Sequence, residues 1–214
     1  MSIGQQNKLG LFEHRAECVE LALQDGQIAY FSQAFDEQEA DVYWQHCIDS
    51  LAWRQDSIRI ANKQILIPRL QCWYGDTGTD YRYSGLTLTP LPWPPFLLQI
   101  KQRVESLCQH RFNAVLANYY RDGRDSVDWH SDDEAELGVE PVIASLSLGA
   151  VRRFEMKHRY NKALRPSNIQ LAHGSLLLMK GKTQQYWRHR LPKDVSIAAP
   201  RINLTFRMIR SLAA

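Results

Sequence analysis

The stretch Pro200-Arg201-Ile202-Asn203-Leu204-Thr205-Phe206-Arg207 decides the fold of this 214-residue chain. In a strand, successive side chains point to opposite faces of the sheet, so the stretch divides by parity. One face is wholly apolar and consists of Ile202, Leu204, Phe206 and Met208. The other is polar and carries two guanidiniums: Arg201, Asn203, Thr205 and Arg207. A half-exposed antiparallel strand is one interpretation. The other is a strand buried on both faces, whose polar side lines a cavity that binds a dicarboxylate.

The composition is that of an ordinary globular protein, with 44% hydrophobic and 23% charged residues. The length suits one core, so we expect a single domain over residues 1–214. A net charge of +3 does not by itself indicate a nucleic-acid partner. The four cysteines lack metal-binding spacing, and no apolar run is long enough to span a bilayer. We therefore expect no membrane association, a monomer, and a cytoplasmic protein if bacterial or a nuclear one if eukaryotic.

Residues 1–112 predict N-terminal helices, a hairpin and a substrate-binding lid. Apolar residues at helical spacing predict a helix from Phe12 to Leu23, and Gln27–Phe31 reads as a strand. A helix is predicted over Asp36–Ser50 with Val42, Cys47 and Ile48 facing inward, and a hairpin over Ser57–Pro68 that turns at Asn62-Lys63. An aromatic loop follows over Cys72–Gly85, and a connector over Leu86–Pro95. The last element of this part is a helix over Phe96–His110, with Leu97, Ile100, Val104 and Leu107 on its apolar side.

From Phe112 onward the pattern changes to short strands separated by turn signals. We predict strands near 113–120, 142–148, 152–158, 168–172, 175–179, 186–190 and 201–209. Several short strands around a polar interior are typical of a double-sheet barrel. The fold class is therefore α+β but mainly β, with a jelly-roll (double-stranded β-helix) core over residues 113–209.

A candidate metal site lies in His130-Ser131-Asp132. In an extended segment His130 and Asp132 project to the same side, and His189 in a strand-like run is the candidate third ligand. Two imidazoles and one carboxylate form the facial arrangement of non-haem Fe(II) oxygenases, although zinc hydrolases accept the same residue types. The two arginines of the 200–207 stretch favour the iron alternative, because they supply the partner for a chelating cosubstrate.

Two further histidines have other interpretations. His173, beside Gly174 at a strand turn, is predicted to be a structural hydrogen-bonding residue. His158 lies in a basic run, Val151–Arg165, and is predicted to be solvated or near phosphate. Upstream of the metal motif, Asn118 and Tyr120 share a strand face, so they either bind a ligand over the metal or belong to the core.

Several ordered motifs together resemble the AlkB family of Fe(II)- and 2-oxoglutarate-dependent dioxygenases, most closely the branch with the animal DNA-repair members. The resemblance covers about Ile65 to Ile209. The matching segments are Pro68-Arg69, Tyr74-Gly75-Asp76, Tyr81-x-Tyr83-Ser84-Gly85, Asn118-x-Tyr120, His130-Ser131-Asp132-Asp133-Glu134, His173-Gly174-Ser175, Arg188-His189-Arg190-Leu191-Pro192 and Pro200–Arg207.

The resemblance implies a role for each matching residue. His130, Asp132 and His189 would hold Fe(II). The 2-oxoglutarate carboxylates would be bound by Arg201 and Arg207, in an order that the sequence leaves open, with help from Asn118, Tyr120, Asn203 and Thr205. The methylated base would be bound by Arg69, Tyr81, Tyr83, Ser84 and Asp133.

The activity that the resemblance implies is oxidative demethylation of N-alkylated bases such as 1-methyladenine and 3-methylcytosine. The reaction uses O2, converts 2-oxoglutarate to succinate and CO2, and releases formaldehyde. The same iron chemistry on RNA, a protein or a small molecule is the alternative, and a non-catalytic nucleic-acid-binding module is a third hypothesis. Phosphate contacts are expected from the basic run at Arg152–Arg165, with Arg188, Arg190 and Lys193.

Two features bear on the partners. Relatives that repair duplex DNA carry an aromatic residue at the tip of the hairpin, whereas this chain reads Ile60-Ala61-Asn62-Lys63-Gln64. Single-stranded DNA is therefore the expected substrate, with RNA and duplex DNA as alternatives. In addition, Leu9-Gly10-Leu11-Phe12 resembles peptides that dock on bacterial sliding clamps, with Lys8 in place of the usual Gln.

Overall fold

The computed structural model describes residues 17–60, 63–83 and 86–210. The α-helices there are α1 (Glu37–Ser50), α2 (Pro95–Cys108) and the one-turn α3 (Thr183–Tyr186), and Ala135–Leu137 forms a 3-10 turn. The strands are β1 (Cys18–Leu23), β2 (Gly26–Phe31), β3 (Ser57–Ile60), β4 (Lys63–Leu66), β5 (Leu70–Gly75), β6 (Tyr81–Tyr83), β7 (Leu86–Leu88), β8 (Ala114–Tyr120), β9 (Val127–His130), β10 (Ile143–Gly149), β11 (Arg152–His158), β12 (Ser167–Leu171), β13 (Leu176–Lys180), β14 (Trp187–Leu191) and β15 (Arg201–Arg207). Within these ranges, none of the helices combines the length and apolar character needed to cross a bilayer.

The strands build two main antiparallel sheets, as the jelly-roll prediction requires. The larger sheet has the order β1-β2-β13-β10-β15-β8-β5, and the smaller has the order β12-β11-β14-β9. Side chains of both sheets line one cavity between them. The mainly β, jelly-roll prediction is confirmed, and three strands from the N-terminal part of the chain, β1, β2 and β5, join the larger sheet.

Strand β15 is buried on both faces, which confirms the cavity interpretation of the 200–207 stretch. All seven of its residues are buried between β10 and β8. Its apolar side packs in a core with the inward side of α2, formed by Leu97, Ile100 and Val104. Its polar side lines the cavity between the two sheets. One strand therefore closes the core and builds the site.

Helix α1 begins with a capping box, in which Asp36 and Glu39 each accept a backbone N–H of the other. The helix was predicted, but the inward position of Val42 was wrong, because that side chain is 55% exposed. The buried residues Ala40 and Cys47 are seven apart and share a helix face, whereas Val42 lies five residues from Cys47 and points elsewhere. Helix α2 matches its prediction to within two residues at each end.

The helix predicted over Phe12–Leu23 is wrong in its described part. Residues Cys18–Leu23 form β1, which pairs with β2 through a turn at Asp25. Val19 and Leu23 fit a helix by spacing, but Val19, Leu21 and Leu23 also alternate with the period of a strand, and pairing with β2 selects the strand. The first part of the predicted helix and the clamp-like peptide Leu9-Gly10-Leu11-Phe12 lie outside the described residues.

The aromatic loop predicted over Cys72–Gly85 is also corrected. Cys72–Gly75 belong to β5, which is paired with β8, and Tyr81–Tyr83 form β6, which is paired with β7 inside the predicted connector. Burial of β5 removes the alternation of apolar and polar residues that marks a half-exposed strand. The β3–β4 hairpin was predicted correctly, while its turn residues 61–62 and residues 84–85 lie outside the described ranges.

Candidate active site

Three potential metal ligands meet where β9 and β14 run side by side. His130, Asp132 and His189 present ligand atoms that all lie within 4.8 Å of one another. His130 is the last residue of β9 and pairs with His189 of β14, so the two imidazoles face the same cavity. Asp132 follows two residues later, and its Oδ2 lies 3.7 Å from His189 Nε2. The structure thus brings together the three residues that the sequence singled out.

Neighbouring groups fix this cluster. The Nδ1–H of His130 donates to the Asp128 carbonyl at 2.8 Å, which leaves Nε2 free for a metal. The His189 ring stacks on Phe154 at a centroid distance of 5.2 Å. Ser131 ties the segment to β14, because its hydroxyl donates to the Trp187 carbonyl at 2.9 Å.

The electrostatics suit a metal centre. Burial lowers the pKa of His189 to about 3, with His130 beside it, and burial also lowers the pKa of His130. Both imidazoles are therefore neutral at physiological pH, as a metal ligand must be. Burial alone would raise the pKa of Asp132, but Arg207 and the two histidines hold it well below the usual range. The cluster offers two neutral nitrogens and one carboxylate.

The two arginines of β15 differ in their partners. Arg207 donates from a terminal nitrogen to Asp132 Oδ1 at 2.7 Å, and its carboxylate partner raises its pKa against the effect of burial. Arg201 is 2% exposed and has no carboxylate partner in the described part of the chain. It donates to Ser147 Oγ at 2.9 Å and lies over the Tyr120 ring, 5.3 Å from its centroid. Burial lowers the pKa of Arg201 to about 10.

Such a buried cation is costly unless an anion joins it. Within the described ranges, the Nε atoms of both Arg201 and Arg207, and one terminal nitrogen of Arg207, are buried without a hydrogen-bond acceptor. Donors left free in a cavity beside three metal ligands fit a small dicarboxylate that also reaches the metal. The residues present therefore fit both Fe(II) and 2-oxoglutarate.

The other predicted cosubstrate residues line the same cavity. Asn203 donates to Ser145 Oγ at 2.7 Å, and the Thr205 hydroxyl donates to Asn203 Oδ1 at 2.7 Å. Asn118 and Tyr120 lie on β8, directly opposite β15 residues Asn203 and Arg201. All six predicted residues are among those that line the cavity: Asn118, Tyr120, Arg201, Asn203, Thr205 and Arg207.

The predicted base-binding residues are placed less uniformly. Arg69 is buried in the cavity wall, where its Nε donates to Asn118 Oδ1 at 2.7 Å. Tyr81 is fully buried, stacks on Trp73 at 4.9 Å and lies 5.5 Å from the Arg207 guanidinium. Asp133 is exposed and accepts from Arg159 at 2.7 Å. Ser84 and the side chain of Tyr83 lie outside the described parts of the chain.

Two members of the basic run are not available for phosphate. Arg152 is 1% exposed and donates to three main-chain carbonyls, those of Asp122, Asp125 and Pro192. The prediction for His158 was wrong as well, because its ring is buried and its Nδ1 accepts the N–H of Asn161 at 2.8 Å. Both side chains face inward because alternate residues of β11 point into the barrel.

His173 has the structural role predicted for it. Its Nδ1 accepts the N–H of Gly149 at 2.8 Å, and its Nε2 lies 3.3 Å from Asp41 of α1. The sequence analysis missed other polar residues. Ser145 and Ser147 alternate with buried leucines in β10, and this parity could have marked them as cavity residues. Gln184 bonds the backbone of Asp132, and no pattern in the sequence indicated it.

A jelly roll that holds two histidines and a carboxylate beside two buried arginines defines the class of non-haem iron oxygenases that use a 2-oxo acid. The family comparison agrees, since the model of the 2OG-Fe(II) oxygenase superfamily matches residues 27–207. The chain belongs to this superfamily. The predicted iron, 2-oxoglutarate and O2 are therefore the metal and cosubstrates of its class.

Comparison with curated proteins shows which members of the superfamily the chain resembles. The chain is 44% identical over 183 residues to alpha-ketoglutarate-dependent dioxygenase alkB homolog 3 of Mus musculus, which is 81% of this chain and 63% of that protein. It is 39% identical over 194 residues to DNA oxidative demethylase ALKBH2 of Homo sapiens, covering 86% and 74% of the two chains. The matched region thus spans about three fifths of the length of the mouse relative. These relatives confirm the resemblance to the AlkB family.

Solved structures agree at the level of the fold. The structure of OsALKBH1 superimposes with a TM-score of 0.64 and 18% identity, over 88% of this chain and 100% of that chain. A 2OG-Fe(II) oxygenase family protein from Burkholderia pseudomallei gives a TM-score of 0.58 with 15% identity, over 87% of both chains.

Proposed function

We propose that the protein removes N-methyl groups from alkylated bases in nucleic acid, in a reaction that consumes O2 and 2-oxoglutarate and releases formaldehyde, succinate and CO2. The observation that carries the proposal is the position of Arg201, a buried cation without an anionic partner in the described chain, in the same cavity as His130, Asp132 and His189. Relatives named DNA oxidative demethylase and alkB homolog 3 support the substrate class.

His130, Asp132 and His189 hold the iron in this proposal. Bound Fe(II), with 2-oxoglutarate and O2, supplies the oxidation of the N-methyl group. The protein's side chains keep the two imidazoles neutral, hold the carboxylate ionised and enclose the site with Phe154 and other apolar residues of the smaller sheet. Closing such a site excludes water and strengthens the electrostatic interactions inside it.

We infer the orientation of 2-oxoglutarate from the different partners of the two arginines. Arg207 is bonded to the proposed metal ligand Asp132, so its free donors lie beside that ligand and would face the end of the cosubstrate nearest the metal. Arg201 at the opposite end of β15 binds the far carboxylate, with Ser147 and Tyr120 fixing its guanidinium. The polar residues between the two arginines are Asn118, Asn203 and Thr205. They limit the length of the dicarboxylate that fits between the two guanidiniums.

We place the methylated base against Tyr81, Tyr83, Ser84, Asp133 and Arg69. The free carboxylate oxygen of Asp133 suits a base that methylation has made cationic. Asp133 already holds Arg159, so a bound base would share the carboxylate with a residue of the basic run. This contact connects the proposed base site to Arg159, which belongs to the basic surface proposed to bind the nucleic-acid backbone.

The nucleic-acid strand is proposed to bind a basic surface on the outer side of the smaller sheet. This surface is formed by Lys157, Arg159, Arg188 and Arg190. Lys157 and Arg190 both lie over the ring of Trp129, at 4.2 Å and 4.5 Å from its centroid. Lys157 pairs directly with Arg188 across β11 and β14, and like charges at such positions repel. The phosphodiester backbone of a nucleic acid would reduce that repulsion.

Single-stranded DNA is the proposed substrate. A base within a duplex must be flipped out at a cost of roughly a few kcal/mol, and that cost is smaller in a single strand. The segment Ile60–Gln64 at the tip of the β3–β4 hairpin contains no aromatic side chain to fill the gap in a duplex.

The experiment is mass spectrometry of oligonucleotides that carry 1-methyladenine or 3-methylcytosine, each as a single strand, a duplex and an RNA. They are incubated in air with the protein, Fe(II) and 2-oxoglutarate, and Asp132→Ala is the control variant. We expect loss of one methyl group, with succinate formed and the single strand preferred. Succinate formation without any change in the oligonucleotides would support the iron chemistry but reject nucleic acid as the substrate.

A further inference from the structure

The short helix α3 carries a buried amide that contacts the metal cluster. Gln184 is 1% exposed, and its Oε1 accepts the backbone N–H of Asp132 at 2.9 Å. Its Nε2 lies 3.5 Å from Met179 Sδ, so the amide is held between β13 and the metal-binding segment. The side chain takes no part in the metal, cosubstrate or base contacts described above.

The position of Asp132 explains why such a contact is needed. Strand β9 ends at His130, so the backbone of Asp132 lies beyond the sheet ladder that orders the two histidines. Its carboxylate is held by Arg207 and its N–H by Gln184. An N–H left unpaired in this buried position would cost free energy, and the segment would shift to satisfy it.

Helix α3 is itself anchored, which makes Gln184 a rigid support. The hydroxyl of Thr183 accepts the N–H of Gln27 at 2.9 Å and lies within hydrogen-bond distance of the Gln27 and Lys180 carbonyls. The larger sheet therefore fixes α3 through Thr183, and α3 fixes Asp132 through Gln184. This connection joins the larger sheet to the metal ligand that has no strand of its own.

We propose that Gln184 is a positioning residue for metal binding, which acts by holding the backbone of Asp132. The inference rests on the proposed metal site. Residues that orient a ligand typically change metal affinity by about 10- to 100-fold when they are removed. Gln184→Met keeps the length and loses the acceptor, Gln184→Asn keeps the amide but falls short of the Asp132 N–H, and Gln184→Glu retains an acceptor at full reach.

The test is direct Co(II) binding to the metal-free protein, followed by visible absorption, together with the melting temperature of each metal-free variant. The matched control is Gln185→Met, because Gln185 is the exposed neighbour on the same helix. We expect Gln184→Met and Gln184→Asn to bind Co(II) about 10- to 100-fold more weakly. Gln184→Glu and Gln185→Met should bind like the wild type.

Different failures can be distinguished. Equal Co(II) affinity in the wild type and in the Met and Asn variants would overturn the role of Gln184 while leaving the metal site intact. A lower melting temperature without a change in Co(II) affinity would show a purely structural residue and would also overturn it. Absence of Co(II) binding by the wild type would reject the metal site itself. If Gln184→Met does not fold, the comparison of Gln184→Asn with Gln184→Glu decides.

Discussion

The guanidinium of Arg207 donates a 2.7 Å hydrogen bond to Asp132 Oδ1 and thereby joins two residues 75 positions apart in the chain. Arg201, on the same face of the same strand, has no carboxylate partner among the described residues. The two arginines that the sequence presents as equivalent therefore differ in their tasks. Arg207 is paired with Asp132 of the candidate metal cluster, and in the proposed site Arg201 binds an anion.

Replacing Arg207 with Met should destabilise the metal-free protein. The substitution leaves the buried Asp132 carboxylate without its strongest partner, and breaking a buried pair from one side costs about 3–5 kcal/mol. The free energy of unfolding from urea titration measures this effect. Wild-type stability in Arg207→Met would contradict the pairing.

Arg201→Met should behave in the opposite way. Because no carboxylate is left unpaired, the metal-free protein should be as stable as the wild type or more stable. The dissociation constant for 2-oxoglutarate should rise at least about 30-fold, since losing one partner of a buried charge pair costs about 2 kcal/mol or more. Urea unfolding measures the stability and calorimetric titration measures the dissociation constant, with Arg153→Met, an exposed cation on β11, as the control. Unchanged 2-oxoglutarate affinity would remove Arg201 from the site.

A pH effect is expected at the end of α2. Burial would raise the pKa of Glu105, but the Phe112 N–H and Lys101 lower it below the ordinary value of 4.5. Because the folded-state pKa is the lower one, the stabilisation is complete above 4.5 and is lost as the pH falls through the folded-state value. Glu105→Gln should therefore be less stable than the wild type at neutral pH, and the difference should shrink in acid. Urea unfolding at a series of pH values tests this; a difference that does not vary with pH would contradict it.

The basic surface can be tested by its salt dependence. Arg188 is exposed and lies opposite Lys157, so Arg188→Ala should weaken binding of a single-stranded oligonucleotide at low salt. The slope of log affinity against log salt should decrease by about 0.7 for one lost phosphate contact. Fluorescence anisotropy measures the slope, with Arg103→Ala on α2, an exposed cation away from the smaller sheet, as the control. Equal slopes in the two variants would show that the oligonucleotide binds to a different surface.

Much of the site could be predicted because its residues follow strand periodicity. The alternation in Arg201–Arg207 indicates one apolar and one polar face, and the spacing of His130 and Asp132 places both on one side. Strand pairing then brings His189 to His130, which a list of short strands in a jelly roll permits but does not specify.

The errors have physical causes as well. Val19 and Leu23 satisfy the spacing of a helix and of a strand alike, and only pairing with β2 selects the strand. Arg152 was assigned to the surface because charged residues are rarely buried, yet three carbonyls satisfy its guanidinium. Gln184 gave no signal, because its partner is a backbone N–H 52 residues away in the chain.

The most direct test of a shared iron and 2-oxoglutarate site is an anaerobic titration of the metal-free protein with Fe(II) and 2-oxoglutarate, followed by absorption spectroscopy. We expect a charge-transfer band that requires both components, is lost in Asp132→Ala, and needs far more 2-oxoglutarate in Arg201→Met. A wild-type protein that shows no such band, or an Asp132→Ala variant that keeps it, would contradict the assignment of His130, Asp132, His189 and Arg201 to one catalytic centre.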